Sequence, residues 1–241
     1  MIKTPINKIL FLDIETVGCC PDYDSCETFN PNLASLFSDY FDWFLKRFPE
    51  DSIQNGNLSQ QEQMNIIFKK RAPLVPEFAK IVCVVCAFVA PDGEIKKQTI
   101  ANKEEKILLK EVQDLLNKCG KLDFYLCGHN LKNFDIPMLA KRMMINGILP
   151  PSILPAYDTK PWDIKAIDTK EIWQYGSYTS IGSLDLLCTC LDIESPKNGE
   201  IKGENVHKSY WEEDRLKEIS EYCEKDVIVL VDIIKKLKSL N

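Results

Sequence analysis

The chain has 241 residues, 45% apolar and 27% charged, enough apolar mass for one core of ordinary size or two small ones. No apolar run approaches the roughly 20 residues that cross a bilayer, and Met1-Ile2-Lys3-Thr4-Pro5 lacks the apolar stretch of an export signal, so membrane and secreted classes are set aside and a cytoplasmic setting is expected. The 30 basic and 36 acidic residues give a net charge of -6, which argues against a protein held on nucleic acid by a global positive field.

Ile9-Leu10-Phe11-Leu12 passes into Asp13-Ile14-Glu15, which predicts a buried strand with two acids at its carboxyl end. The segment 19–76 follows and reads as a helical insertion. Residues 33–48 place Leu36, Phe37, Tyr40, Phe41, Trp43, Phe44 and Phe48 near helical spacing, and Ser59 with Glu62 forms a capping box that opens another helix. Residues 19–62 hold eight acids against two bases, leaving 28 against 28 elsewhere, so the whole net charge resides there. Eight of the chain's 23 aromatic residues lie in the same window, a density that demands burial, most simply against the rest of the fold.

The β-branched run 81–89 ends at Pro91-Asp92-Gly93, a turn into a third strand over 95–100. Leu108, Val112, Leu115 and Cys119 recur at steps of four, three and four, predicting a helix over 104–119 closed by Gly120. A fourth strand is predicted at 122–127, a helix at 134–145, a fifth strand within 162–168, a helix at 183–191 and a closing helix over 211–240. That order predicts an α/β fold, a mixed five-stranded sheet flanked by helices, in a single domain over 1–241 with its insertion at 19–76. The ten cysteines show no regular spacing and read as reduced thiols. Cys83 and Cys86 would lie on opposite faces of a strand, and Cys188 and Cys190 would not face one another on a helix, so neither pair reads as a zinc site.

Three acidic motifs carry the chemistry. Asp13 and Glu15 are two apart, so on an extended chain their carboxylates share a face and can share one divalent ion. Taken alone they read first as solvated acids in a loop after a strand. Gly128-His129-Asn130-Leu131-Lys132-Asn133-Phe134-Asp135 falls where the fourth strand yields to a helix. Asp135 would sit in the first helical turn, where the dipole favours its ionised form, a role that needs no catalysis. Phe134 reads as core before substrate platform. His129 reads as a local hydrogen-bonding residue, since His207 is the one other histidine. In Tyr222-Cys223-Glu224-Lys225-Asp226 the phenol and the last carboxylate are stacked on one helical face beside Ile219 and Leu230. An acid drawn to that buried side needs a partner, and a divalent cation is one. Four carboxylates meeting at one end of a sheet would raise one another's pKa unless cations neutralised them. All-oxygen ligation selects Mg2+ or Mn2+ over zinc, and two such ions about 4 Å apart can activate a water and hold both oxygens of a phosphodiester displacement.

In order and spacing, Phe11-Leu12-Asp13-Ile14-Glu15-Thr16, His129-Asn130-Leu131-Lys132-Asn133-Phe134-Asp135 and Tyr222-Cys223-Glu224-Lys225-Asp226 resemble the three exonuclease motifs of the DEDD superfamily. The nearest likeness is to stand-alone relatives of the proofreading exonuclease domain of family-B DNA polymerases, and it covers 9–231 apart from much of 19–76. It implies a ribonuclease H-like fold. Tyr222 stands four residues before Asp226, and Glu221 holds the place where the histidine subgroup carries histidine, so the resemblance is to the tyrosine subtype. By that resemblance Asp13 bridges two Mg2+ or Mn2+ ions, Glu15 and Asp226 complete the one that carries the catalytic water, and Asp135 holds the second largely through water. Tyr222 would position the attacking water, while Asn130 and Phe134 would shape the pocket for the terminal nucleotide. A phenol with a pKa near about 10 is a poor base at neutral pH, which fits orientation and leaves activation to the metal.

The implied reaction releases nucleoside 5'-monophosphates from the 3' end of single-stranded or frayed DNA, in repair or in proofreading, in trans to a polymerase or repair partner. An exoribonuclease stays open, because nothing identifies a 2'-OH contact. So does an idle nucleic-acid-binding scaffold, although such a protein would be expected to lose some of these five residues. Two bound ions would leave the balanced part of the chain net positive by about four, enough for a weak, sequence-blind grip on phosphates. Lys132, Lys141, Arg142 and the loop Lys197-Asn198-Gly199-Glu200-Ile201-Lys202-Gly203 are candidate phosphate contacts. Asp168, at the end of the fifth strand, is left outside the catalytic set. The acidic insertion is expected to pack on the exonuclease core; the alternative is a lid whose charge repels a duplex.

Overall fold

The computed structural model describes residues 2–51, 58–177, 182–195 and 200–240. Five strands, β1 (Ile9–Gly18), β2 (Ala79–Val89), β3 (Ile95–Ala101), β4 (Tyr125–Gly128) and β5 (Ala166–Asp168), form one mixed sheet in the order β3-β2-β1-β4-β5. β1 to β3 are antiparallel neighbours, and β4 and β5 run parallel to β1. Helices α1 (Tyr23–Phe29), α2 (Pro31–Asp39), α3 (Phe41–Arg47) and α4 (Gln60–Arg71) make up the insertion. α5 (Glu105–Lys121), α6 (Asp135–Ile145), α7 (Thr169–Gln174), α8 (Leu184–Cys190), α9 (Val206–Trp211) and α10 (Leu216–Lys238) follow.

Alternation along β1 sorts its side chains between two cores. Leu10, Leu12 and Ile14 face one side with Leu108, Val112 and Leu116 of α5 and Leu139 of α6. Ile9 and Phe11 face the other with Val227, Leu230, Val231 and Ile234 of α10. Burial of each such side chain stabilises the fold by about 1.5 to 3 kcal/mol. Cys86 joins the first core and Cys83 the second, as strand alternation requires.

Several bounds differ from those the sequence predicts. β1 runs on through Gly18, so the two acids lie within it. β5 has only three residues, preceded by a 3-10 turn at Pro161–Asp163. α5 continues through Gly120 to Lys121. The closing helix begins only at Leu216, after a turn in which Asp214 takes a left-handed φ of 52° and separates it from α9, a short helix the sequence did not predict. The aromatic stretch of the insertion is also broken, at Tyr40. Seven residues of straight helix would separate Phe37 from Phe44 by about 10 Å along the axis, whereas their rings lie 4.8 Å apart. Phe37 also meets Phe68 at 4.9 Å and Phe78 at 5.1 Å. The insertion thus has its own small aromatic core, with Phe78 at the start of β2 as its floor, and its aromatics do not spread over the sheet's two cores. The Ser59–Glu62 capping box is present.

Candidate active site

The overhang of β1 opens the site. β4 pairs with β1 only over Ile9 to Phe11, so β1 extends past the carboxyl ends of its parallel neighbours into a notch. Asp13 and Glu15 continue the face set by Ile9 and Phe11, which is the face covered by α10. A register shift between Glu15 and Thr16 then re-aims the strand, and Val17 packs with Ile219 and Tyr210 in a separate cluster. The chain crosses the notch closely at Gly128, where an added Cβ would come within 2.9 Å of the Leu12 carbonyl oxygen and of Leu131 Cβ. Only glycine permits that approach.

From the other side of the notch the loop after β4 delivers Asp135 into the first turn of α6, 3% exposed. Asp168 shapes that loop. Its carboxylate accepts from the backbone N–H groups of Asn130 at 2.9 Å, Lys132 at 3.1 Å and Lys170 at 3.0 Å, and Asn130 stands at a left-handed φ of 62°. The acid left outside the catalytic set is therefore a positioning residue beside Asp135. His129 bonds Thr169 Oγ1 at 2.9 Å and the Gly182 carbonyl at 2.7 Å, the local role its sequence suggested. Asn130 Oδ1 accepts from Lys170 Nζ at 3.2 Å, and Phe134 is partly buried against the α5–α6 core.

α10 closes the group. Its stripe of Ile219, Cys223, Val227 and Leu230 is wholly buried and turns Asp226, 7% exposed, toward β1 with Tyr222 one turn before it. Cys223, which the periodicity marks only as apolar, donates its thiol to the Asp13 carbonyl at 3.5 Å and to Asp13 Oδ2 at 3.3 Å. Oxygen and sulfur donors of Asp13, Glu15 and Cys223 lie within 4.8 Å of one another.

The electrostatics follow from that crowding. Burial, reinforced by Asp226, pushes the Asp13 carboxyl up to about 8, with the Cys223 thiol opposing the shift. Burial and the charge of Asp13 hold both Glu15 and Asp135 well above the usual carboxylate range. Burial, Asp226 and Glu15 raise the Tyr222 phenol, so it is a proton donor throughout the neutral range. Among the described residues no lysine or arginine pairs with Asp13, Glu15 or Asp135. Burial and Cys83 keep the Cys223 thiol protonated, so the donors on offer are hard carboxylate oxygens. That set fits divalent cations of the Mg2+ or Mn2+ kind and relieves the repulsion it would otherwise store.

A family described as "Predicted 3'-5' exonuclease related to the exonuclease domain of PolB" matches residues 73–231. The chain belongs to that family. The match to this PolB-related exonuclease family spans Asp135, Tyr222 and Asp226 and begins just past α4, the last helix of the insertion; Asp13 and Glu15 lie upstream, brought to the same place by β1. The fold likeness extends further. The family B DNA polymerase from the hyperthermophilic archaeon Pyrobaculum calidifontis superposes with a TM-score of 0.58 at 14% identity over 97% of this chain. The chain spans 25% of that polymerase, and the likeness establishes the ribonuclease H-like fold of the family. No curated protein matches the sequence.

One candidate phosphate contact is overturned. Arg142 is 8% exposed and is committed to Glu105 through Nε at 2.9 Å and through Nη2, while Nη1 donates to the Pro76 carbonyl at 2.9 Å. It ties α6 to α5 and to the end of the insertion. Lys132 and Lys141 pair with Glu171 at 2.6 Å and Glu77 at 3.1 Å, surface contacts that a phosphate can displace. Residues 197–199, three of the seven in the proposed basic loop, lie outside the described residues. Among the described residues no helix is long and apolar enough to cross a membrane.

Proposed function

We propose that this chain is a metal-dependent 3'-5' exonuclease that hydrolyses single-stranded or frayed DNA from its 3' end and releases nucleoside 5'-monophosphates. The reading rests on one observation: carboxylates from β1, α6 and α10 converge in a notch where three of them are raised by burial and mutual charge. Asp13, Glu15, Asp135 and Asp226 would hold two divalent cations. Such ions, when bound, supply an activated water and neutralise charge on the leaving oxygen. Tyr222, kept protonated beside Asp226, donates a hydrogen bond and fixes the direction of attack without removing a proton. Asn130 and Phe134, on the loop that Asp168 shapes, flank the place for the terminal nucleotide. Contacts to phosphate and sugar without base readout give a sequence-blind, salt-sensitive enzyme. On this reading the chain would serve in trans to a polymerase or repair partner.

The test is time-resolved digestion of 5'-labelled single-stranded DNA and RNA of one sequence with Mg2+, Mn2+ or chelator, with Asp13→Ala as control. A DNA ladder shortening from the 3' end, abolished by chelator and by the substitution, is expected. Faster digestion of the RNA would make the enzyme an exoribonuclease, and no digestion by folded, metal-binding protein would make it a scaffold.

A further inference from the structure

Three of the ten cysteines do not behave as separate core thiols. Cys19 and Cys20 leave the end of β1, Cys26 stands in α1, and the three sulfurs lie within 4.8 Å of one another. We propose that Cys19, Cys20 and Cys26 form a second metal site that takes one Zn2+ through three thiolates, with its fourth position open to solvent.

The chain arranges this gathering. Adjacent residues on a strand point to opposite faces, so neighbouring cysteines meet a common third only where the strand has ended. β1 ends at Gly18, and Cys19 N–H donates to the Phe78 carbonyl at 2.8 Å as the chain bends away. His207 fixes the bend: Nδ1 accepts from Gly18 N–H at 3.0 Å and Nε2 bonds the Pro21 carbonyl at 2.8 Å. Asp22 then caps α1 by accepting from Ser25 N–H at 2.8 Å, which sets the turn that carries Cys26. With both ring nitrogens engaged, His207 supports the site from behind and supplies no fourth ligand.

The sulfur spacing suits a cation. A metal about 2.3 Å from each sulfur holds the sulfurs roughly 3.8 to 4.0 Å apart, within the observed limit. A cation bound there takes the place of the thiol protons, which pass to solvent. Soft thiolates favour zinc over the hard ions suited to the carboxylate notch, so the two sites sort their metals. Cys19 is partly exposed and provides the entry, whereas Cys20 and Cys26 are buried. Among the described residues no other three thiols meet. Zinc there would pin the exit of β1, four residues past Glu15, to the first helix of the insertion.

Cobalt tests this without reference to nuclease activity. Reduced, metal-stripped protein titrated with Co2+ is expected to develop thiolate-to-cobalt charge-transfer absorption that saturates at one equivalent and is abolished by Zn2+. Asp13→Asn and the exposed-thiol control Cys190→Ser should leave the band intact. Loss of a hydrogen-bond partner to a ligand weakens metal binding about 10- to 100-fold; Cys19→Ser and Cys26→Ser, losing ligands outright, should lose zinc affinity by at least that factor. Cys19→Ser, half-exposed, keeps the test open if Cys26→Ser does not fold. No band in folded, reduced wild type, or a band that survives in Cys19→Ser, would overturn the assignment.

Discussion

Asp13→Asn should make the metal-free protein more stable at neutral pH while destroying its activity. The folded carboxyl titrates at about 8 against an ordinary 3.8, so below the lower value both states hold the proton and above the upper one neither does. Between them the native state holds a proton that the unfolded chain has released, and stability falls as pH rises. The slope for one fully linked group is about 1.4 kcal/mol per pH unit. From about pH 5 to pH 7 wild type should therefore lose up to about 2.7 kcal/mol through Asp13. Because the charge of Asp226 contributes to the Asp13 shift, the single substitution should recover only part of that loss. Asparagine has no proton to lose and keeps an oxygen to accept from Cys223. Urea unfolding followed by circular dichroism in chelator, at pH values spanning this window, measures the difference. Titrations outside the notch cancel in the comparison, including that of His207, whose burial lowers its pKa and so favours folding as pH rises, whereas those of Glu15 and Asp135 ease downward once the charge of Asp13 is gone. With saturating Mg2+ or Mn2+ the order should reverse, because wild type gains the binding free energy. Wild type more stable than Asp13→Asn at neutral pH in chelator, or equal pH dependence in the two, would refute the account of the notch.

Tyr222→Phe should slow single-turnover digestion by no more than about 100-fold, and less than Asp13→Ala; equal losses would give the phenol a role beyond orientation. Arg142→Met should cost about 3 to 5 kcal/mol in chemical denaturation by stranding Glu105, yet leave the salt dependence of single-stranded DNA binding unchanged; a reduced salt slope would return Arg142 to the phosphate contacts. Asp168→Ala removes the acceptor of three backbone N–H groups and should cost about 1 to 3 kcal/mol for each that water does not reach. Its digestion rate should fall as Asp135 loses its placement, with Asp168→Asn intermediate; wild-type rates in a folded Asp168→Ala would show that the loop holds itself.

Much of this was legible because period and acid spacing are local properties. The steps of three and four that predict α10 also place Asp226 and Tyr222 on its inner flank, and the two-residue spacing of Asp13 and Glu15 puts them on one face whether or not the strand continues. What the sequence hid depends on partners distant along the chain. Arg142 looks like any surface cation until α5 brings Glu105 beside it, and Asp168 looks like a spare site acid until the loop after β4 wraps its carboxylate. β1 runs on because pairing with β2 overrides the weak strand preference of Asp13 and Glu15. The closing helix starts late because Asp214 adopts a left-handed turn before it that no periodicity announces. The three-thiol cluster is not legible in the spacing, because the bend after Gly18 that gathers it is set by His207, 189 positions along the chain, at 3.0 Å from Gly18 N–H.

β1 and β2 are hydrogen-bonded neighbours from Phe11–Ala87 to Gly18–Ala79, yet the whole insertion lies between them in sequence. In an ordinary hairpin that connection would be a turn of two residues. Once such a link is already long, doubling it adds only about 0.6 kcal/mol of closure entropy. The catalytic floor is thus decoupled from the architecture above it: segments of quite different length and charge can be spliced between Gly18 and Ala79 while the register of the acids stays fixed.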